Sequence, residues 1–128
     1  MSRGARLLLD THVFLWWRAD DRRVRRPTRD AIAAADVVFV SAASAWEAAI
    51  KTALGRLKIP DTVEAGVLAS GFERLPISFA HAEAAGRLPQ HHADPFDRML
   101  IAQARLEGLT LVTHDRQFEP YGVDIAWV

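Results

Sequence analysis

Leu7-Leu8-Leu9, Val37-Val38-Phe39-Val40 and Leu109–Thr113 are short β-prone runs in which apolar residues largely follow one another instead of alternating with polar ones. Successive side chains of a strand point to opposite faces, so a strand with one wet face alternates apolar and polar residues. An unbroken run implies burial on both faces, the condition of a parallel sheet with helices above and below. In such sheets ligands bind at the carboxyl ends of the strands, where the strand order reverses.

The segments between the runs have helical periods. His12–Arg18 reads as a helix with Val13, Trp16 and Trp17 at helical spacing, and Asp20–Arg26 as a charged loop. Pro27 fits a first helical position and opens Thr28–Ala35. Ala42–Leu54 is predicted helical, with Trp46, Ile50, Ala53 and Leu57 as its stripe and Gly55 as its stop; core packing is expected for Trp46. Asp61 reads as the N-cap of a helix to about Glu73, and Leu75-Pro76-Ile77 as an edge strand, where Pro is tolerated. Phe79–Gly86 is a short helix, Asp94-Pro95 opens a strong one over Phe96–Glu107 that Gly108 ends, and Val123–Val128 is a last strand. The expected fold is α/β: one domain, with a parallel sheet of four or five strands and helices on both faces.

Composition narrows the function classes. A chain of 128 residues has room for one core. Half its residues are hydrophobic and a quarter charged, which is ordinary globular usage. The absence of Cys excludes a disulfide framework, a thiol nucleophile, a Cys-ligated zinc and an iron–sulfur cluster. Sixteen basic and sixteen acidic residues cancel, so a polyanion site must be local or use a metal. No apolar run approaches the roughly 18–20 residues that span a bilayer, and no signal-peptide core follows the basic Met1–Arg6 segment; a soluble cytoplasmic protein with no membrane partner is expected. The seven glycines form no phosphate-binding loop.

Carboxylates gather at one edge of the predicted sheet. Asp10 follows the first strand directly, and Asp115 lies two residues past the strand at Leu109–Thr113. Glu47 is early in the helix after the second strand, and Asp97 is in the first turn of the Phe96 helix. Helices antiparallel to the strands begin at the strands' carboxyl edge, so all four belong there. Each has a local explanation: Asp10 as an N-cap, Ser44-x-x-Glu47 as a capping box with Glu47–Lys51 as an i,i+4 pair, Asp97 as a first-turn acid behind Asp94-Pro95, and Asp115 as a turn residue. Two placements point past capping. Asp97 shares a face with Leu100, Ile101 and Ala104, and Glu47 lies beside Ala43, Ile50 and Leu54. Clustered carboxylates repel unless a divalent cation compensates, and oxygen ligands without Cys suit Mg²⁺ or Mn²⁺. The histidines offer no zinc set: His91 and His92 are adjacent, cannot both face one ion from a regular element, and are placed in the loop before Asp94.

Leu8-Leu9-Asp10-Thr11-His12, Ser41-Ala42-Ala43-Ser44-Ala45-Trp46-Glu47, Asp94-Pro95-Phe96-Asp97-Arg98 and Leu111-Val112-Thr113-His114-Asp115 resemble, in this order, PIN-domain ribonucleases and among them the VapC-type toxins of bacterial toxin–antitoxin systems. The resemblance covers essentially the whole chain, and its specificity lies in the ordered set. It implies Mg²⁺-dependent endonucleolytic cleavage of RNA leaving a 5′-phosphate and a 3′-hydroxyl, a homodimer, and an antitoxin partner that blocks the site. It makes Asp10, Glu47, Asp97 and Asp115 the acidic metal-binding tetrad: Asp10 and Asp97 ligands, Asp115 on a second ion or a ligand water, Glu47 orienting the attacking water. Asp94 is assigned to capping, and His114 has no role.

Around the tetrad, Thr11, Ser41 and Thr113 are expected to hydrogen-bond carboxylate or phosphate, or else to serve as strand-end and cap hydroxyls. Arg98 and Arg116 each follow a tetrad acid and are candidates for substrate phosphate, or for pairing with a neighbouring carboxylate. Arg22, Arg23, Arg25, Arg26 and Arg29 form a basic run, either a footing for RNA or a solvated loop balanced by Asp20, Asp21 and Asp30. One of the adjacent Trp16 and Trp17 is expected near the surface, against a partner. A receiver-type signalling module is the contrasting small parallel α/β protein with acids and Mg²⁺. It needs an acidic pair after the first strand and a late Lys, whereas here Thr11-His12 follow Asp10, and Lys51 and Lys58 are mid-chain. A PIN nuclease outside toxin–antitoxin systems is the nearer alternative.

Overall fold

The structure, a computed structural model, describes residues 4–128; Met1–Arg3 of the basic N-terminal segment lie outside the described residues. The elements are β1 (Arg6–Leu9), α1 (Thr11–Arg18), α2 (Arg26–Ala34), β2 (Val37–Ser41), α3 (Ala42–Ala53), α4 (Val63–Ala69), β3 (Glu73–Leu75), α5 (Phe79–Arg87), α6 (Pro95–Glu107), β4 (Thr110–Thr113), a 3-10 helix (Arg116–Tyr121) and β5 (Ile125–Trp127). The strands form one five-stranded sheet in the order β3-β2-β1-β4-β5, every neighbouring pair parallel. The chain builds outward from β1 through β2 to β3, then returns to β1's other side for β4 and β5. The order therefore reverses between β1 and β4, where a parallel sheet opens a crevice at its carboxyl edge.

The unbroken apolar runs are buried on both faces, as expected. Leu7 and Leu9 of β1 pack with Val38, Val40 and Val112, under Val13 and Phe14 of α1, Ile32 of α2 and Val67 of α4. Leu8 points the other way, into a second layer with Leu111, Leu100, Ile101 and Ala104 of α6, and Phe118 and Tyr121 of the 3-10 helix. Helix α3 belongs to both layers, giving Ala43 to the second and Ala48 to the first.

Three elements differ from the sequence reading. The fourth helix is capped by Thr62, whose hydroxyl accepts from the Ala65 N–H at 3.1 Å, not by Asp61, and it ends at Ala69. Gly71, at φ +73°, then turns the chain into β3, so the edge strand is Glu73–Leu75 instead of Leu75–Ile77. It stops before Pro76, which has no N–H to continue a ladder. The stripe of Trp46, Ile50, Ala53 and Leu57 is not the buried face of α3: Trp46 is 62% and Ile50 38% exposed, and Leu57, past the helix end, is the one that packs against the core. The buried face is Ala43, Ser44, Glu47 and Ala48, whose mostly small side chains let α3 lie close to both α1 and α6.

Candidate active site

Asp10 caps α1 at the end of β1. It is buried, Oδ1 accepts from the Val13 N–H at 2.9 Å, and Oδ2 accepts from the Thr113 hydroxyl at the end of β4. The same Thr113 oxygen accepts from the Asp115 N–H at 3.0 Å, tying the two strand ends on either side of the crevice. Burial raises the Asp10 pKa, and the bonds from Thr113 and Val13 oppose it. Asp115 caps the 3-10 helix by accepting from the Gln117 N–H at 2.9 Å.

Asp94 caps α6, its Oδ1 accepting from the N–H groups of Phe96 and Asp97 at 2.8 and 3.2 Å, which fulfils the assignment of Asp94 to capping. Asp97 follows in the first turn. Its pKa is pushed up to about 7, first by burial and then by the charge of Asp94, against a lowering hydrogen bond from His92. Glu47 comes from the second turn of α3. It is 5% exposed; Oε2 accepts from Lys51 Nζ at 2.8 Å, and Oε1 is buried with no hydrogen-bond partner. The helix start is capped by Ser41, which accepts from the Ala43 N–H at 3.0 Å, so Ser44-x-x-Glu47 is not a capping box.

Asp10, Glu47, Asp97 and Asp115 line one cavity of about 390 Å³ at the reversal of strand order. Asp94, Lys51, Arg116, His12, His92 and His114 line it too. Five carboxylates face two fixed cations there, Lys51 and Arg116. That excess of negative charge, the raised acids Asp10 and Asp97, and the orphaned Glu47 oxygen fit a divalent cation.

The other expected residues divide. Thr113 belongs to the site through Asp10. Arg116 lines the cavity with an exposed side chain that pairs with Glu119 at 3.6 Å and lies over the Trp127 ring at 4.1 Å. Thr11 does not reach the acids: its hydroxyl is buried and donates to Ser44 Oγ at 2.8 Å, tying α1 to α3. Ser41 lines a separate groove with Val40, Arg74 and Pro76. Arg98 does not line the cavity. Its guanidinium is buried and donates to the carbonyls of Ala85, Leu88, Pro89 and His92 at 2.9–3.3 Å, and for Leu88 and His92 it is the donor that the α5–α6 connection does not itself supply. Trp16 and Trp17 are both half-buried; Trp16 lies against the His114 ring with centroids 4.7 Å apart, and Arg23 lies 4.4 Å over it.

His92, Lys51, His12 and His114 were not legible as site residues. Lys51 carried a signal, its i,i+4 spacing to Glu47. His92 carried none, since it sits in a loop without periodicity. It is buried with Nε2 2.7 Å from Asp97 Oδ2 and 3.8 Å from Asp115 Oδ2. Among the described residues, His92, Asp97 and Asp115 are the one such set whose ligand atoms lie within 4.8 Å of one another. No helix among the described residues is long and apolar enough to cross a membrane.

The sequence model of the PIN domain matches residues 7–123. The chain is 33% identical over 118 residues to Ribonuclease VapC22 of Mycobacterium tuberculosis, covering 90% of this chain and 91% of that protein. Its fold is similar to the crystal structure of VapBC2 from Rickettsia felis bound to a promoter DNA fragment, with a TM-score of 0.71 at 15% identity over 94% of this chain and 97% of that one. A toxin–antitoxin complex from Klebsiella pneumoniae is similar with a TM-score of 0.63 at 21% identity, over 94% and 95%.

Proposed function

The chain belongs to the PIN-domain family, and on that premise we propose that it is a metal-dependent endoribonuclease and the toxin of a toxin–antitoxin pair, acting in the cytoplasm. The observation that carries the reading is the convergence of Asp10, Glu47, Asp97 and Asp115, from four separate elements, on one cavity at the reversal of strand order. The relative at 33% identity is named a ribonuclease, and the structural neighbours include toxin–antitoxin complexes.

Asp10, Asp97 and Asp115 are the residues that would hold the cation, Mg²⁺ or Mn²⁺, with Glu47 beside them. When bound, such an ion neutralises a non-bridging phosphate oxygen and lowers the pKa of its water, which lets hydrolysis of a phosphodiester proceed near neutral pH. Glu47 has Oε2 held by Lys51 and Oε1 free, so it can accept a hydrogen bond from the attacking water and orient it toward phosphorus. Thr113 keeps Asp10 turned into the cavity, and the first turn of α6 aims backbone dipoles at the same space. Arg116 reaches the phosphate at the rim.

RNA supplies the polyanion that the chain's zero net charge does not attract as a whole. A second groove, sharing His114 with the cavity, is lined by Trp16, Arg22, Arg23 and Arg25, which offers phosphate contacts. Products are a 5′-phosphate and a 3′-hydroxyl. An antitoxin covers the site, and two copies pair through the exposed apolar face of α3, where Trp46, Ile50 and Leu54 project.

Expression of the chain without a partner tests the reading. Growth should stop and new 5′-phosphate RNA ends should accumulate, and a folded Asp10→Asn variant should do neither. Growth arrest without new ends, or arrest by Asp10→Asn, removes cleavage as the activity.

A further inference from the structure

His92 is fixed by contacts that do not involve the acids. Its backbone N–H donates to the Tyr121 hydroxyl at 2.7 Å, its carbonyl accepts from Arg98 at 3.3 Å, and its ring stands edge-on to Phe118 with centroids 6.0 Å apart. The Tyr121 hydroxyl in turn donates to the Pro89 carbonyl at 2.9 Å, so the loop is locked to the 3-10 helix. Held this way, Nε2 faces the space between Asp97 and Asp115, 2.7 and 3.8 Å from their Oδ2 atoms. One N–H can point at only one carboxylate. A nitrogen lone pair aimed between two carboxylates can share an ion with both. In an octahedral site with bonds of about 2.1 Å, adjacent ligand atoms lie about 3 Å apart and opposite ones about 4.2 Å. The spacing of these three residues is of that size.

We propose that His92 is a metal ligand through Nε2, and that with Asp97 and Asp115 it forms a nitrogen–oxygen centre that selects a first-row transition ion such as Mn²⁺ over Mg²⁺. The inference rests on the metal-dependent reading above and says which ion that site is built for. Mg²⁺ prefers an all-oxygen octahedron with several waters retained, whereas imidazole is a borderline donor suited to transition ions. Asp10 stays beside this centre as an oxygen donor. Glu47, with its buried and unpartnered Oε1, lines the same cavity.

The test uses the full chain, freed of metal and titrated with Mn²⁺. Free Mn²⁺ is followed by electron paramagnetic resonance, and nitrogen coordinated to the bound ion by electron spin echo modulation. A directly bound imidazole nitrogen is expected in the wild type, absent in His92→Gln, and retained in both His12→Gln and His114→Gln. Mn²⁺ affinity should fall about 10- to 100-fold in His92→Gln while Mg²⁺ affinity, read by competition, changes less than about threefold. Should His92→Gln not fold, survival of the nitrogen signal in the other two variants assigns it to His92. Bound Mn²⁺ without coordinated nitrogen, a nitrogen signal that persists in His92→Gln, or its loss in His12→Gln or His114→Gln overturns the proposal while leaving the metal-dependent reading intact. A folded wild type that binds neither ion overturns both.

Discussion

Replacing Asp97 with Asn should stabilise the metal-free protein at neutral and alkaline pH. An unfolded Asp titrates near 3.9, whereas Asp97 in the folded chain titrates at about 7. Because the folded-state value is the higher one, folding favours the protonated carboxyl. Its contribution to stability is full below about pH 4 and is lost as pH rises through about 7. At about 1.4 kcal/mol per pH unit, the gap corresponds to about 4 kcal/mol of unfavourable ionisation above pH 7. Asn cannot ionise and keeps the shape, and the lowering bond from His92 is already contained in the value of about 7. The gain expected near pH 8 is up to about 4 kcal/mol, or roughly 15 °C in Tm for a domain of this size. Near pH 4 the two proteins should melt together, since Asp97 is then protonated in the wild type as well. Adding a divalent ion at a hundredfold excess over its Kd should close most of the gap, giving the wild type about 2.7 kcal/mol and the variant little of it. Thermal melts with chelator and with metal, from about pH 4 to pH 8 at fixed ionic strength, read all three effects. A variant that is less stable than the wild type at every pH, with the metal shifting both equally, would show that Asp97 is only a first-turn acid of α6.

Three further substitutions separate support from chemistry. Thr113→Val keeps the volume but removes the bond given to Asp10 and the one taken from the Asp115 N–H; it should cost about 1–3 kcal/mol in denaturant melts, raise the Asp10 pKa further and weaken metal binding by calorimetry. Arg98→Ala leaves the buried Leu88 and His92 carbonyls without a donor and should cost about 2 kcal/mol or more, with Arg98→Lys recovering little because an ammonium cannot reproduce the guanidinium fork. Arg116→Ala, on an exposed side chain, should leave stability within about 0.5 kcal/mol and metal affinity unchanged, while lowering RNA affinity and the salt slope of binding by about one contact. Fluorescence anisotropy of a labelled RNA across a salt series measures the last.

The sheet and its acids were legible because each rests on a local rule. Unbroken runs such as Leu7–Leu9 announce burial on both faces. A residue at a strand's end or in a helix's first turn is placed at the sheet's carboxyl edge by topology alone. What was not legible depends on which neighbours an element meets. The period of α3 gives two apolar stripes, and hydrophobicity favours the larger one, with Trp46 and Ile50. The alanine face won because α3 must pass close to both α1 and α6, where bulk would hold it off. Arg98 follows a tetrad acid and so read as a phosphate contact. Its actual role is set by the α5–α6 loop, where it is the donor to the Leu88 and His92 carbonyls, which no spacing announces. His92 is the same problem from the other side, since the Tyr121 and Phe118 that orient it lie more than twenty residues away in sequence.

The capping and metal-binding readings of the acids, set against each other in the sequence, do not exclude each other in the fold. Asp10 and Asp115 are N-caps, and Asp97 is in the first turn behind the cap Asp94. Helix N-termini carry roughly half a positive charge each, so α1, α6 and the 3-10 helix bring partial positive charge to the acids that need it. That field falls short of neutralising five carboxylates with Lys51 and Arg116 as the fixed cations, while burial raises the pKa values of Asp10 and Asp97 and the charge of Asp94 adds to the rise at Asp97. The cap bonds fix carboxylate position without consuming every lone pair, and burial keeps the carboxylates hungry for charge. Glu47 stands apart: it lies past the first turn of α3, no helix N-terminus serves it, and Lys51 holds only one of its oxygens. Its pair with Lys51 within α3 accounts for one oxygen, and the buried, unpartnered Oε1 is the atom that folding does not account for and that an ion or water in the cavity would.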